Sequence, residues 1–494
     1  MVERTENHEL HVYDRGDTDW THAPDMRTIE RRLVVRDVVD ARDSYEPHEG
    51  ATFVATDTGA VYDGTGEEWQ KASREFATVV ADDLHTRAPS VVNAREHGAR
   101  GDGSSDDTDA IRDAIEAAGS GIVTVPRGTY TITEELRIGS ATLRGDGMAA
   151  TTIELDGEVG RAVTVDVEGG GVTACSIACR GQTTEGVRLA APHTAAHCVA
   201  VDHVDQPGDE TDSTACINVM SAPHATVSHC RATRARAPNT GISNGIHVGG
   251  TGGDVSVIGC RVDDVTPRDD GDGIVVHDVN PRSRVIGNCV TAAAKSALKI
   301  GRRQRESISV LATGNSLQAD PGCLCVARIQ GTETTFAGNT IVQDRVRDAV
   351  IRVATSPSHD SAPVTLSGNI VELTDPAGGN DLIRVRDWDH TVVIGDNALA
   401  MAGGGRWAIR VDGAETVVID GNAIDAPGRT GIELAGTTGA SITGNVVEGA
   451  GRQGIAVASD AARCVVTGNV VDAPDGIVVA DGASDVAVGT NVGG

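Results

Sequence analysis

Along the second two-thirds of the chain, hydrophobic positions fall into short triplets, an apolar residue on each side of a variable one. They begin Val187-Arg188-Leu189, Ile217-Asn218-Val219, Ile246-His247-Val248, Ile274-Val275-Val276, Leu298-Lys299-Ile300 and Ala327-Arg328-Ile329. They continue Ile351-Arg352-Val353, Ile383-Arg384-Val385, Ile409-Arg410-Val411, Ile432-Glu433-Leu434, Ile455-Ala456-Val457 and Ile477-Val478-Val479. A period of two is that of a strand with its flanking residues on a core and its middle residue outward. Nothing in these stretches sustains the 3.6-residue period of a helix.

A second pattern keeps the same pace. Gly-Asn closes the phrases Val285-Ile286-Gly287-Asn288, Phe336-Ala337-Gly338-Asn339, Leu366-Ser367-Gly368-Asn369, Ile442-Thr443-Gly444-Asn445 and Val466-Thr467-Gly468-Asn469. With Asn315, Asn397, Asn422 and Asn491, the steps are 27, 24, 30, 28, 25, 23, 24 and 22 residues. Such a period marks a solenoid, and one too short in helical runs to be built of helix pairs. Each repeat is one coil of strands that cannot bury its inner face alone, so coils stack with like residues superposed about 4.8 Å apart. Asn suits the turn because it tolerates left-handed backbone angles and its amide can bond the same group on neighbouring coils. These patterns predict an all-β chain whose main body is a right-handed parallel β-helix of about 12 to 14 coils, spanning residues 136–494.

Cys260 takes the Asn place in its repeat, with Cys230 and Cys198 in comparable places on the two preceding coils. No Cys-x-x-Cys or Cys/His spacing recurs, so the ten cysteines read as small core residues.

Aromatic residues divide the chain differently. Of eleven Phe, Trp and Tyr, only Phe336, Trp388 and Trp407 follow position 130. Residues 1–88 therefore need another kind of core, and Thr52-Phe53-Val54-Ala55 and Ala60-Val61-Tyr62 flanking Asp57-Thr58-Gly59 predict a hairpin in one or two small β-rich modules. This stretch resembles short β modules of phage tail fibres.

Between the two parts, residues 89–135 carry Asn93-Ala94-Arg95-Glu96-His97-Gly98-Ala99-Arg100-Gly101-Asp102-Gly103, then Asp106-Asp107-Thr108-Asp109-Ala110-Ile111, then Val123-Thr124-Val125-Pro126-Arg127-Gly128-Thr129-Tyr130. Acids at 106, 107 and 109 favour a helix start, and Ile111, Ala114, Ile115 and Ala118 form one apolar stripe. That helix would cap the open end of the solenoid. The segment resembles the amino-terminal signature of the pectate-lyase-like β-helix superfamily, which is also common in phage tailspikes.

With 71 acidic and 42 basic residues the net charge is -29, and only Lys71, Lys295 and Lys299 are lysines. This balance argues against nucleic acid as a partner. It is similar to the surfaces of proteins from salt-loving archaea. No stretch reaches the roughly 20 apolar residues of a membrane span, and Met1 to Trp20 lacks the basic-then-apolar pattern of a secretion signal.

Chemistry is expected in the outward positions. There, Arg188, Asn218, His247, Val275, Lys299, Arg328, Arg352, Arg384, Arg410 and Glu433 stack in one column. Two readings fit its cations: neutralisation by carboxylates such as Asp387, Asp389 and Asp412, or a stripe that holds an acidic sugar. Trp407 shares a column with Asp381, and with Trp388 nearby it offers a surface on which sugar rings stack. Asp269-Asp270-Gly271-Asp272-Gly273 places Asp272 beside Asn244, with His247 and Lys299 on flanking coils and His277 two places on from Val275. The paired Asp resembles the acidic motif of polygalacturonase-type β-helices, but Asn239-Thr240-Gly241 lacks the Asp that would supply its partner. Asp270, Asp272, His247 and Lys299 are thus the catalytic candidates, and Arg328, Arg352, Arg384, Arg410, Trp388 and Trp407 the glycan-binding ones. Asp-Gly-Asp-Gly has part of a calcium-loop spacing and is also an ordinary turn; no metal or cofactor is required.

Three functional classes fit. A virion tailspike or tail fibre would attach to other tail proteins through residues 1–88 and bind, and in one version cleave, an acidic host-surface polysaccharide; the tailspike resemblance implies a homotrimer, and the acidic, lysine-poor composition points to a haloarchaeal virus. A cellular polysaccharide lyase or glycoside hydrolase, or an adhesive solenoid without turnover, are the alternatives.

Overall fold

The computed structural model describes residues 90–494 apart from 206–212, 238–240, 251–252, 268–269, 278–281, 292, 294, 302–308, 332, 356–361, 377–378, 426–427 and 494; before residue 90 it describes 2–4, 11–13, 34–37, 39–45, 47, 51–55 and 60–75. Residues 1–88 and 89–494 form separate compact units. In the first, Val34–Asp37 runs parallel to Thr52–Ala55, which pairs antiparallel with Ala60–Gly64 and through it with Trp69–Glu75. Phe53 is its buried centre, ringed by Tyr45, Tyr62 and Trp69. The expected hairpin strands are present; their Asp57-Thr58-Gly59 turn lies outside the described residues.

The second unit is a right-handed parallel β-solenoid of about 14 turns. The strand triplets pair in parallel in the predicted register, from Arg188 on Asn218 through Lys299 on Arg328 to Arg410 on Glu433. A single continuous hydrophobic core runs from Ala94 to Ala473. Helix α1, Thr108–Ala118, buries Ile111, Ala114, Ile115 and Ala118 against its first coil. The start is held by Asp106, which accepts from the Thr108 N–H at 3.0 Å and from its hydroxyl. Asp107 turns away from the helix and accepts instead from the Arg100 and Gly101 N–H groups. Gly101 has φ +63, and a Cβ there would come within 2.6 Å of the buried Tyr130 ring.

The asparagines form a buried ladder. From Asn315 onward each accepts, at its side-chain oxygen, both the backbone N–H and the amide N–H of the Asn one coil earlier, as Asn369 does from Asn339 at 3.0 Å each, while Asn288 accepts from the Cys260 N–H. Each also donates to a strand carbonyl, as Asn369 does to Phe336. The expectation that Asn holds the left-handed turn is corrected: the preceding Gly does, with φ between 61 and 71 at Gly287, Gly314, Gly338, Gly368, Gly421, Gly444 and Gly468, and Asp396 at 55. Asn is left free to point inward. Asn369→Ala removes four hydrogen bonds in a dry interior and should lower stability by about 2–3 kcal/mol, read as a fall in the urea midpoint with unchanged m-value. A loss under about 0.5 kcal/mol would show that the ladder is incidental.

Cys260 and Cys230 do continue the ladder column and are buried. Cys198 does not. Ala200 pairs with Arg231, so Val199 occupies the column and Cys198 sits one residue earlier in a left-handed turn, half-buried, 3.3 Å from His197 Nε2. All ten cysteines are free.

Candidate functional site

The outward column is less outward than its alternation implies. In each strand the residue three before the column also turns toward the same face, so Glu185, Asn244, Asp272, Asp381 and Trp407 form a second row beside Arg188, His247, Val275, Arg384 and Arg410. Between the rows, charges meet charges, and most are covered.

At the amino-terminal end, Glu185 accepts from Arg161 at 3.1 Å, Arg188 at 3.0 Å and the Asn218 amide at 2.6 Å. Asn218 in turn meets His247 Nδ1 at 2.8 Å, and His247 Nε2 lies 2.8 Å from His277 Nε2. One hydrogen-bonded row thus crosses four coils. It floors a cleft of about 650 Å³ whose lining includes Arg161, Glu185, Arg188, Asn218, His247, His277, Asp272 and Lys299.

The cleft ends on a denser cluster. Asp272 is 1% exposed; Arg328 reaches it at 3.2 Å and Lys299 at 3.9 Å. Asp270 binds Lys295 at 2.7 Å, with Lys299 and Arg328 at 3.7 and 3.6 Å. Burial pushes the Asp272 carboxyl up despite the attraction of Arg328 and Lys299. Burial likewise pushes Lys299 down, against the pull of Asp272. For Asp270, burial also acts upward, but the Lys295 hydrogen bond and the charges of Lys299 and Arg328 outweigh it and hold the group low. Two carboxyls a residue apart are therefore driven in opposite directions, the pattern that separates an acid from a base.

A third cluster lies farther along. Arg352 and Arg384 share Asp348 at 3.2 and 3.1 Å, Arg384 and Arg410 share Asp412 at 3.4 and 2.7 Å, and Arg410 lies 3.5 Å from Glu433. Asp381 is fully buried, without a hydrogen bond to either oxygen, 3.6 Å from Arg384 and 3.8 Å from Arg406. Burial raises it to about 7. Trp407 is 8% exposed and lies between the guanidiniums of Arg406 and Arg410, at 4.4 and 4.1 Å, with its N–H donated to Glu433.

The predicted residues thus divide. His247, Asp272 and Lys299 line one cleft, and Asp270 supports it through Lys295 and Lys299. Arg328 stands behind the cleft as the partner of both acids. Arg352, Arg384 and Arg410 are bound to carboxylates, which removes the bare cationic stripe; Asp348, Asp412 and Glu433 do the pairing, and Asp387 and Asp389 have no part in those ion pairs. Trp388 is corrected outright. It is a core residue, 0% exposed, donating to the Ala362 carbonyl, and offers no surface for a sugar. Trp407, with two guanidiniums over its ring, is itself mostly buried. Glu185, Arg161, Lys295 and Asp348 were missed, although Glu185 stands three residues before Arg188 just as Asp272 stands three before Val275. Among the described residues no three or more His, Cys, Asp or Glu side chains are placed to hold a metal ion.

Fold and site together define a right-handed parallel β-helix with a polar cleft on one flank. Residues 91–308 match the family described as rhamnogalacturonase A/epimerase, pectate lyase-like, and residues 394–492 match the right-handed beta helix region. Mannuronan C5-epimerase AlgE1 of Azotobacter vinelandii is 41% identical over 78 residues, which is 14% of this chain and 6% of that protein, so the chain spans a small fraction of its curated relative. Among solved structures, the Dettilon tailspike protein (gp208) superposes with a TM-score of 0.50 at 16% identity, covering 74% of this chain and 68% of that one. The tailspike of E. coli bacteriophage HK620, solved with a hexasaccharide, gives 0.48 at 14% identity over 86% and 82%. At these identities the likeness is one of fold.

Proposed function

We propose that this chain is a polysaccharide-binding β-helix that holds an acidic surface glycan in the cleft between Arg161 and Lys299, and that it serves as a tailspike or tail fibre of a virion. The carrying observation is the row Glu185, Asn218, His247 and His277. It sets polar side-chain ends at coil spacing across four strands, with Arg161 and Arg188 at one end and Lys299 at the other. An extended sugar chain offers hydroxyls and carboxylates along its length, the complement of such a row. Calorimetric titration with host surface polysaccharide tests it. His247→Ala and Arg161→Ala should each weaken binding tenfold or more, about 1.4 kcal/mol, and equal affinity in both variants would sink the reading. The tail role draws support from the separate small unit at residues 1–88, suited to docking on other tail proteins, and from the tailspike-like fold. Antibody labelling should place the chain at the virion tail; labelling confined to cells would favour a cellular lyase or hydrolase.

A second reading, turnover of the same glycan, is favoured by the opposed shifts of Asp272 and Lys299. A lysine held low by burial can take the proton beside a uronate carboxylate, the first step of elimination and of epimerisation alike, while a carboxyl held high can donate one. Release of unsaturated uronate or new reducing ends, abolished in Lys299→Met, is the expected result; full activity in that variant would remove Lys299 from the chemistry.

A further inference from the structure

The hydrogen-bonded row on the floor of the cleft has a direction, and Glu185 sets it. Glu185 accepts from Arg161 at 3.1 Å and from Arg188 at 3.0 Å, so it is a carboxylate and can only accept. The Asn218 atom 2.6 Å from it is therefore the amide nitrogen, which turns the Asn218 carbonyl oxygen toward His247. That oxygen also only accepts, so His247 Nδ1, at 2.8 Å, carries a hydrogen. In a neutral imidazole the other nitrogen is then bare. His247 Nε2 thus takes a hydrogen from His277 Nε2, 2.8 Å away, and every bond of the row points from His277 toward Glu185. The rings meet nitrogen to nitrogen, their planes at 63°. Glycine makes the meeting possible: a Cβ at Gly249 would come within 2.5 Å of the His277 ring and 3.1 Å of the His247 ring.

We infer that this histidine pair carries a single exchangeable proton and that an acidic glycan enters the cleft together with it. One added proton leaves the bond between the rings in place and makes it charge-assisted, which strengthens it. A second would set N–H against N–H at 2.8 Å, two like charges in contact. Imidazole ordinarily titrates near pH 6.5, so the first proton is available around neutrality. In register, His247 stands between Asn218 and Val275, and His277 beside Gly301, all uncharged. The charged groups that line the cleft with the pair are Glu135, Arg161, Glu185, Arg188, Asp272 and Lys299, three acids and three bases. They balance, so the proton on the pair decides whether the cleft is neutral or positive. A uronate carboxylate favours the positive form and draws the proton in from water. The bound pair then holds its proton more tightly than the empty one. The affinity this adds is full at acid pH and is lost as pH rises through the titration of the bound pair. The coupling rests on the glycan reading of the cleft; the proton count does not.

Nitrogen-15 NMR of the histidines in the full chain, with the two rings assigned by His247→Gln and His277→Gln, tests the count without a ligand. At pH 8 the hydrogens should lie on Nδ1 of His247 and on Nε2 of His277, and the pair should gain one proton in total between pH 8 and 5. In Gly249→Ala, whose methyl drives the rings apart, the gain should become two. A hydrogen on Nε2 of His247 at pH 8, or a gain of two protons or of none in the wild type, would each overturn the inference. Calorimetry with acidic surface polysaccharide purified from the host, at pH 7 in buffers of differing ionisation heat, tests the coupling. Proton uptake should approach one per bound segment, and affinity should fall by up to tenfold per pH unit above pH 7. The same polymer with its carboxyls reduced to alcohols should show no uptake. Binding of the acidic polymer without proton uptake would remove the coupling and leave the glycan reading; no binding at any pH would remove the glycan reading and the coupling with it.

Discussion

Arg328→Gln should destabilise the solenoid by about 3–5 kcal/mol, among the largest effects available to a single polar substitution in this chain. Arg328 is 7% exposed and is the nearest cation to Asp272, at 3.2 Å, while also facing Asp270 at 3.6 Å. Without it, Asp272 keeps Lys299 at 3.9 Å as its cation among the described residues, and a buried carboxylate must either stay charged in a poor medium or take up a proton. The second course lies open because burial already holds Asp272 high. The loss should therefore be greatest at alkaline pH and shrink toward acid pH as Asp272 becomes neutral. Asp272→Asn in the same chain should restore a good part of the stability, so that the pair shows strong non-additivity in a double-mutant cycle followed by urea unfolding. Additive losses would mean that Arg328 acts through packing of its stem rather than through its charge.

Asp381→Asn should do the reverse and stabilise the protein above neutral pH, by about 2–4 kcal/mol. Asp381 is fully buried with neither oxygen hydrogen-bonded, and burial, outweighing Arg384 and Arg406, lifts it from 3.8 to about 7. The folded chain then binds this proton more tightly than the unfolded chain does. A raised carboxyl contributes its stability at low pH and loses it as pH climbs from about 4 to about 7, after which the deficit is constant. Asn carries no such proton, so thermal midpoints of variant and wild type should agree near pH 4 and separate up to pH 7. Arg384 keeps Asp348 and Asp412 as partners and is not stranded by the change. A variant less stable than wild type at pH 8 would show instead that Arg406 and Arg384 need the Asp381 charge.

Much of the site geometry was legible because the repeat acts as a ruler. Asn244, Asp272, His247 and Lys299 fall into the places that counting assigns them, since parallel strands in register superpose residues a fixed number of positions from the triplet. Trp388 was not legible by the same rule. Alternation from Arg384 would turn it outward, but Asp387 adopts a left-handed backbone (φ 50), the alternation slips ahead of the register shift that follows between Trp388 and Thr391, and the indole enters the core. The arginine column misled for a different reason. Periodicity reports which face a side chain leaves from and says nothing of what it meets, and here Asp348 and Asp412, at other positions of the coil, and Glu433, in the column itself, meet the guanidiniums of Arg352, Arg384 and Arg410.

By itself, then, the sequence determined the coil: strands, turns, the Asn ladder and the capping helix are local or strictly periodic, and a stack of like units has one way to superpose them. Only the tertiary structure decided which carboxylate meets which cation, that Glu185 begins a row ending at His277, and which aromatic is surface and which is core. Those outcomes depend on side-chain reach across coils and on single left-handed residues that shift a strand's parity, and neither leaves a period to count.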